Sequence, residues 1–169
     1  MRYMNTMLPT SWMPRPAGLL PSDPTRYGGP AIAYWIATIL LVVITARSLV
    51  HLFSPDGGAH SIATIDTSVA GGDNIIALFG QWGASQLLLV GALWVLLLRY
   101  RGLVPFILFV LLLEPFLRAI SGHLKPIVTL GTAPGAALNW FAVPVVTVTL
   151  YLALCTAEER ISGHRGASE

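Results

Sequence analysis

The chain of 169 residues is 54% hydrophobic and only 11% charged, with a net charge of +2. Soluble domains carry about 25% charged residues, so this composition argues against a soluble domain and is typical of a membrane protein. The small cationic excess gives no indication of nucleic-acid binding. The single cysteine, Cys155, excludes an intramolecular disulfide, a CxxC redox motif and a cysteine-based metal site.

Residues 1–30 form a proline-rich segment without helical periodicity. The segment lacks the apolar core and the small-residue cleavage site of a secretory signal. We therefore predict an irregular, extended cytoplasmic arm that binds a partner. A disordered tail, or a start of translation at Met4, Met7 or Met13, is the alternative.

Four apolar segments follow, each close to the ~20 residues that a helix needs to cross a bilayer. They cover residues 31–53, 74–98, 103–121 and 134–155. Because backbone polar groups must pair with each other in lipid, these segments are predicted to be helices. The predicted fold is an all-α, four-helix up-down transmembrane bundle over residues 31–156, followed by a cytoplasmic tail over 157–169.

The distribution of cations predicts the orientation of this bundle. They precede the first span, separate the second from the third and follow the fourth: Arg2, Arg15, Arg26, Arg99, Arg101, Arg160 and Arg165. The loop 54–73 has no Lys or Arg but carries Asp56, Asp66 and Asp73. Since cytoplasmic loops are enriched in Lys and Arg, both termini are predicted to be cytoplasmic, with Lys125 as the one exception.

The first outer loop shows a helical spacing of apolar residues. Ile62, Ile65 and Val69 lie between the glycine pairs Gly57-Gly58 and Gly71-Gly72. This spacing predicts a short amphipathic helix on the outer face of the membrane.

Polar residues inside the spans give the strongest functional signal. At about 1.5 Å of rise per residue, they fall at one depth in the outer half of the bundle. These residues are Arg47, Gln81, Glu114, Arg118 and Asn139, with His51 just above them. Charged residues in spans usually face the bundle interior or water, and Glu114 and Arg118 have the four-residue spacing of a helical ion pair.

This layer holds one carboxylate against two guanidinium groups. The surplus arginine, with Gln81, Asn139 and His51, is predicted to hold a lipid phosphate, a carboxylate or an isoprenoid head group. In the alternative, Arg47 extends to the interface and pairs with an aspartate of the loop 54–73. Gln81 and Gln86 point about 140° apart, so they cannot both face one pocket. The tryptophans Trp35, Trp82, Trp94 and Trp140 are predicted to be interfacial anchors.

The order of these elements, with NIIALFGQWGASQLLL, a two-arginine turn and LEPFLRAISG, resembles the short four-helix bacterial membrane proteins of the DoxX-like group. The resemblance covers residues 31–155, with Gly80 and Arg118 at matching positions. The arm, the long first loop and Glu114 go beyond the pattern of the group. The resemblance implies a four-helix bundle in the bacterial inner membrane and no settled activity.

These features predict an accessory or scaffolding subunit of a larger membrane complex, whose arm and tail bind other subunits or a second copy. Two alternatives remain open. One is binding or transport of a lipid-like or anionic small molecule, and the other is a small intramembrane enzyme with Glu114 as proton carrier. No catalytic or metal-binding motif is recognised in the sequence, and no cofactor is predicted, although the polar layer is compatible with a bound lipid or quinone.

Overall fold

The computed structural model describes residues 4–132 and 134–159, with side chains for 5–132 and 141–157. Four helices dominate these residues: α1 Ala31–Phe53, α2 Gly72–Arg99, α3 Val104–Leu124 and α4 Pro134–Leu154. Short 3-10 helices cover Pro16–Leu19 and Arg101–Leu103. The two-residue strands β1 Met4–Asn5 and β2 Glu158–Glu159 pair antiparallel. Residues 160–169 of the predicted tail lie outside the described residues.

The helical fold agrees with the sequence prediction, and each helix begins and ends within three residues of the predicted span. Three segments are long and apolar enough to cross a membrane: Ala31–Phe53, Gly72–Arg99 and Arg101–Leu124. In α4 the described apolar stretch, Phe141–Leu154, is shorter than a span. The protein is therefore a helical protein with the character of a membrane protein.

The helices form two closely packed pairs, α1 with α2 and α3 with α4, which contact each other only sparsely. Fully buried Ala33 and Ala37 on α1 permit its close approach to neighbouring helices. A hydrogen bond from Trp94 Nε1 to Thr45 Oγ1, 3.0 Å long, also joins α1 to α2. The sparse contact between the pairs leaves room for a cavity in the bundle.

The arm lies across one end of the bundle and is held by the chain itself. Its carbonyls accept the first amides of α1, from Ala31 to Thr6 at 2.9 Å and from Ile32 to Met7 at 3.3 Å. Further along, Arg15 N donates to Leu154 O at 2.9 Å. The start of α1 and the end of α4 therefore hold the arm, and the binding of a partner by the arm stays a prediction.

A second part of the arm closes over the α2–α3 turn. Gly102 N donates to Pro24 O at 2.8 Å, and Asn5 Nδ2 donates to the carbonyls of Tyr27 and Gly29, both at 2.9 Å. Burial raises the pKa of the Tyr27 hydroxyl above its ordinary value, so this group stays protonated and donates to Pro30 O. The arm is thus an ordered cap rather than a tail.

The loop between α1 and α2 folds as consecutive turns, and the amphipathic helix predicted there is absent from residues 54–71. Gly57 and Gly58 have φ angles of +59° and +72°, and Thr64 has +55°, all outside the helical region. Ile65 is buried whereas Val69 is 49% exposed, so the spaced apolar residues do not share one face. Local turn geometry overrides their helical spacing.

Asp56 organises these turns through its side chain. Its carboxylate accepts hydrogen bonds from Ser54 Oγ at 2.7 Å, Gly58 N at 2.9 Å and Ser61 N at 2.7 Å. These donors, with the Ser54 hydroxyl contributing most, hold the pKa of Asp56 well below its usual range. The charged carboxylate is therefore the form that stabilises the loop.

We expect Asp56→Asn to loosen this loop at neutral pH. A loss of about 1 kcal/mol raises amide exchange of peptides covering 57–65 roughly fivefold. Because the folded pKa is depressed, the wild-type contribution is complete above the unfolded value of about 3.9 and is lost only as pH falls below it. Hydrogen exchange, corrected for intrinsic rates, should thus show equal protection at pH 7 and pH 5. Asp73→Asn is the control for charge, and wild-type exchange in Asp56→Asn would contradict the prediction.

Candidate functional site

Four polar side chains meet between the helix pairs, in the half of the bundle away from the arm. We call Arg47, Gln86, Glu114 and Arg118 the polar cluster. Arg47 Nη2 donates to Gln86 Oε1 at 3.2 Å and lies 3.6 Å from Glu114 Oε1. Arg118 pairs with the same oxygen of Glu114, with the predicted four-residue spacing. The cluster therefore joins α1 and α2 to α3.

Gln86 occupies the place that the sequence analysis gave to Gln81. The buried residues of α2 include Gly83, Val90 and Leu97, spaced by seven, and Gln86 lies three residues after the first of them. Gln81 is off this face, and its side chain is exposed. The sequence analysis recognised that only one of the two glutamines could face the pocket, and the structure places Gln86 there and not Gln81.

Trp82 is part of the site, although the sequence analysis treated it as an interfacial anchor. The Cζ atoms of Arg47 and Arg118 lie 5.6 Å and 5.5 Å from its ring centroid. Such positions bring a guanidinium within reach of the electron-rich face of an indole. Trp82 precedes Gln86 by four residues, and this spacing was the available sign that both face the bundle.

His51 lies beside the cluster without bonding to its charged groups. Its side chain is buried, and its Nδ1 is 2.8 Å from Gly57 O, which must accept the hydrogen bond. Its ring centroid lies 4.7 Å from that of Trp82. His51 therefore joins the α1–α2 loop to the site through Trp82. The predicted contribution of Asn139 cannot be placed, because its side chain lies outside the described residues.

A cavity of about 210 Å³ extends from the polar cluster into the bundle. Arg47, Gln86 and Glu114 line one end, and apolar side chains from all four helices line the rest, among them Leu40, Leu93, Leu111 and Val146. Leu40 and Leu93 each lie seven residues from the polar residue of their helix, or about 10 Å along the axis. The cavity thus has a polar end and an apolar body.

The polar end carries an excess of positive charge and an unused donor. Arg47 and Arg118 face the single carboxylate of Glu114, and their side chains are about one-third exposed. Arg47 Nε is buried and has no hydrogen-bond partner among the described residues. A buried donor without an acceptor is unfavourable, so an anionic acceptor placed there would be stabilised. Arg47 therefore turns into the bundle, and the alternative pairing with loop aspartates is not formed.

No group of three His, Cys, Asp or Glu side chains that could bind a metal ion occurs in the part of the chain that the structure describes. Comparison with family models, curated proteins and solved structures finds no match to this chain. The DoxX-like resemblance therefore stays a prediction, and the cavity with its polar end is the structural feature that bears on function.

Proposed function

We propose that this chain is a four-span membrane protein that binds an anionic amphiphile in the cavity between its helix pairs. The observation that carries the proposal is the polar end itself. One arginine, one glutamate and one glutamine line one end of a cavity that is otherwise apolar, and Arg118 pairs with that glutamate from beside the cavity. An arginine fork matches a carboxylate or phosphate, and apolar walls match a hydrocarbon chain.

The size of the cavity favours a ligand with a single chain. An apolar protein cavity of roughly 150 Å³ takes up one benzene molecule. The volume of about 210 Å³ here suits one alkyl or isoprenoid segment beside the head group, and not the two acyl chains of a bilayer phospholipid. A fatty acid or a prenyl phosphate has the required chemistry, because the carboxylate of the one and the phosphate of the other can each pair with Arg47.

The proposed membrane arrangement has four spans and both termini in the cytoplasm of a bacterial inner membrane. The length of α4, 21 residues, supports a fourth span. Arg15, Arg99 and Arg101 lie at the arm end, while Asp56 and Asp66 lie in the loop at the other end. This asymmetry matches the rule that cations remain cytoplasmic. The ligand head group would then lie in the outer half of the membrane.

We expect Arg47→Gln to weaken binding of dodecanoate about 10- to 100-fold, because a charge-assisted hydrogen bond contributes about 1.5–3 kcal/mol. The test uses the protein in nanodiscs and bromine-labelled dodecanoate, whose saturable quenching of Trp82 fluorescence reports occupancy. Trp82→Phe identifies the quenched component. The neutral dodecanol and the quaternary dodecyltrimethylammonium are the ligand controls.

Arg101→Gln is the matched control, because it removes the same charge at the other end of the bundle. It should leave dodecanoate affinity unchanged. Equal affinity of wild type and Arg47→Gln, or equal binding of dodecanol and dodecanoate, would refute the proposal.

A scaffolding role is the second candidate, and one observation favours it. The arm packs on its own chain but still exposes several large apolar side chains, namely Met7, Leu8, Trp12, Met13 and Leu20. These side chains offer a surface to another membrane subunit or to lipid. An enzymatic role for Glu114 also stays a prediction, but the ion pairs of its carboxylate give that role no support.

A further inference from the structure

Arg47 and Arg118 are engaged very differently by Glu114, and the difference bears on ligand binding. Arg118 contacts Glu114 Oε1 directly within α3. Arg47 Nη2 lies 3.6 Å from the same oxygen, beyond the 2.7–2.9 Å typical of charge-assisted hydrogen bonds. Glu114 Oε1 thus contacts both arginines, and its contact with Arg47 is the weaker of the two.

The remaining contacts of Arg47 leave one edge of its guanidinium with unsatisfied hydrogen-bonding capacity, although Nε on that edge is buried. Nε and Nη2 project from the same edge, the one that holds a carboxylate in a side-on fork. Nη2 donates to the neutral amide of Gln86 at 3.2 Å and has the longer 3.6 Å contact to Glu114, and Nε has no hydrogen-bond partner among the described residues. A second carboxylate could take this edge without displacing Arg118 from Glu114.

We infer that Glu114 is an internal competitor that substitutes for the anionic head group of the ligand at Arg47. This inference rests on the proposed function. A carboxylate on the Nε–Nη2 edge of Arg47 would lie beside the carboxylate of Glu114, and two like charges at one site repel each other. The ligand therefore binds at the expense of the Arg47–Glu114 contact, and Glu114 turns wholly to Arg118.

Glu114 also helps to hold the two helix pairs together. The Arg47–Glu114 contact connects α1 to α3, and so it connects two helix pairs that otherwise touch sparsely. Exchange of Glu114 for a ligand anion removes this connection at the polar end of the cavity. Glu114 thereby opposes entry of the ligand in two ways, by charge and by holding the pairs together.

The test measures dodecanoate affinity of Glu114→Gln in nanodiscs by the same quenching assay. We expect binding about tenfold tighter than in wild type, and unchanged dodecanol affinity. The double variant Glu114→Gln/Arg118→Gln has the same formal charge at the cluster as wild type. It should also bind more tightly if Glu114 competes, and it should equal wild type if net charge alone explains the gain.

Two outcomes separate this inference from the proposed function. If wild type binds dodecanoate through Arg47 but neither the single nor the double variant binds more tightly, the competitor inference is overturned and the binding function stands. If wild type shows no saturable, Arg47-dependent binding, the proposed function fails and the inference fails with it. Thermal unfolding of each variant identifies any that do not fold, and the double variant remains informative because it restores the charge balance.

Discussion

Gly83→Leu is expected to force α1 away from α2 and to disrupt the polar cluster. A Cβ atom at Gly83 would lie 2.7 Å from Leu52 N and 2.8 Å from the carbonyl carbon and the Cβ of His51. Two of these three atoms are backbone, so they can yield only if the helix itself moves. Overpacking of this kind costs about 3 kcal/mol or more. Since Arg47 and His51 lie on the displaced part of α1, the site would lose its geometry together with its packing.

The measurement is thermal unfolding of the purified protein in one detergent. A loss of about 3 kcal/mol lowers the melting temperature by about 6–12 °C in a protein of this size. Gly91→Leu is the matched control on the same helix, because a Cβ atom there has no neighbour within 4 Å among the described residues. Equal melting temperatures for the two variants would show that α1 and α2 are not tightly apposed at Gly83.

Gly102→Val is expected to lift the arm from the α2–α3 turn. A Cβ atom at Gly102 would lie 2.7 Å from the carbonyl oxygens of Pro24 and Arg26, and 3.0 Å from that of Asp23. All three are backbone oxygens of the arm, and a valine side chain would also break the hydrogen bond from Gly102 to Pro24. The arm must move, because the turn is fixed by α2 and α3.

Limited trypsinolysis measures this displacement. When opening is fast relative to cleavage, the cleavage rate follows the population of the open form. A loss of about 1.4 kcal/mol increases that population tenfold, so cleavage after Arg26 should be about tenfold faster. Gly122→Val, at a position with no described atom within 4 Å of the added Cβ, should be cleaved at the wild-type rate. A wild-type rate for Gly102→Val would mean that the arm does not depend on this contact.

The helices were predictable from the sequence because lipid imposes a strict rule on the backbone. A segment of about 20 apolar residues has to pair its own amides and carbonyls, so its length and type follow from composition. Depth was predictable for the same reason, since the rise per residue is fixed. Arg47, Glu114 and Arg118 could therefore be predicted from the sequence to lie at one depth in the membrane.

Direction around each helix axis was harder to predict, because nearly every residue of a span is apolar and the usual amphipathic pattern is missing. The spacing of Gly83, Val90 and Leu97 contained the information that selects Gln86 over Gln81. Small residues can mark a helix contact in lipid, as Gly83 does, but a Cβ atom at Gly91 on the same helix would have no neighbour within 4 Å among the described residues, so small size alone does not select the contact face. Trp82 was missed for the same reason.

The arm and the loops were not predictable, because their hydrogen bonds join residues far apart in sequence. Leu130 N donates to Thr64 O at 2.8 Å, which links the two loops at one end of the bundle. The turns after α1 depend on a single side chain, Asp56, that accepts three hydrogen bonds. Neither the link between the loops nor the turns around Asp56 produces a periodic spacing or a biased composition in the sequence.

The bond between Thr6 and Ala157 has a consequence for the order of events during biosynthesis. These residues are 151 positions apart, so Thr6 is synthesised long before the residue to which it donates. The helices can insert one after another, and the arm can contact α1 and the α2–α3 turn early, but its contacts with Leu154 and Ala157 form only after translation has passed α4. A nascent product that stops before residue 157 therefore lacks this contact of the arm.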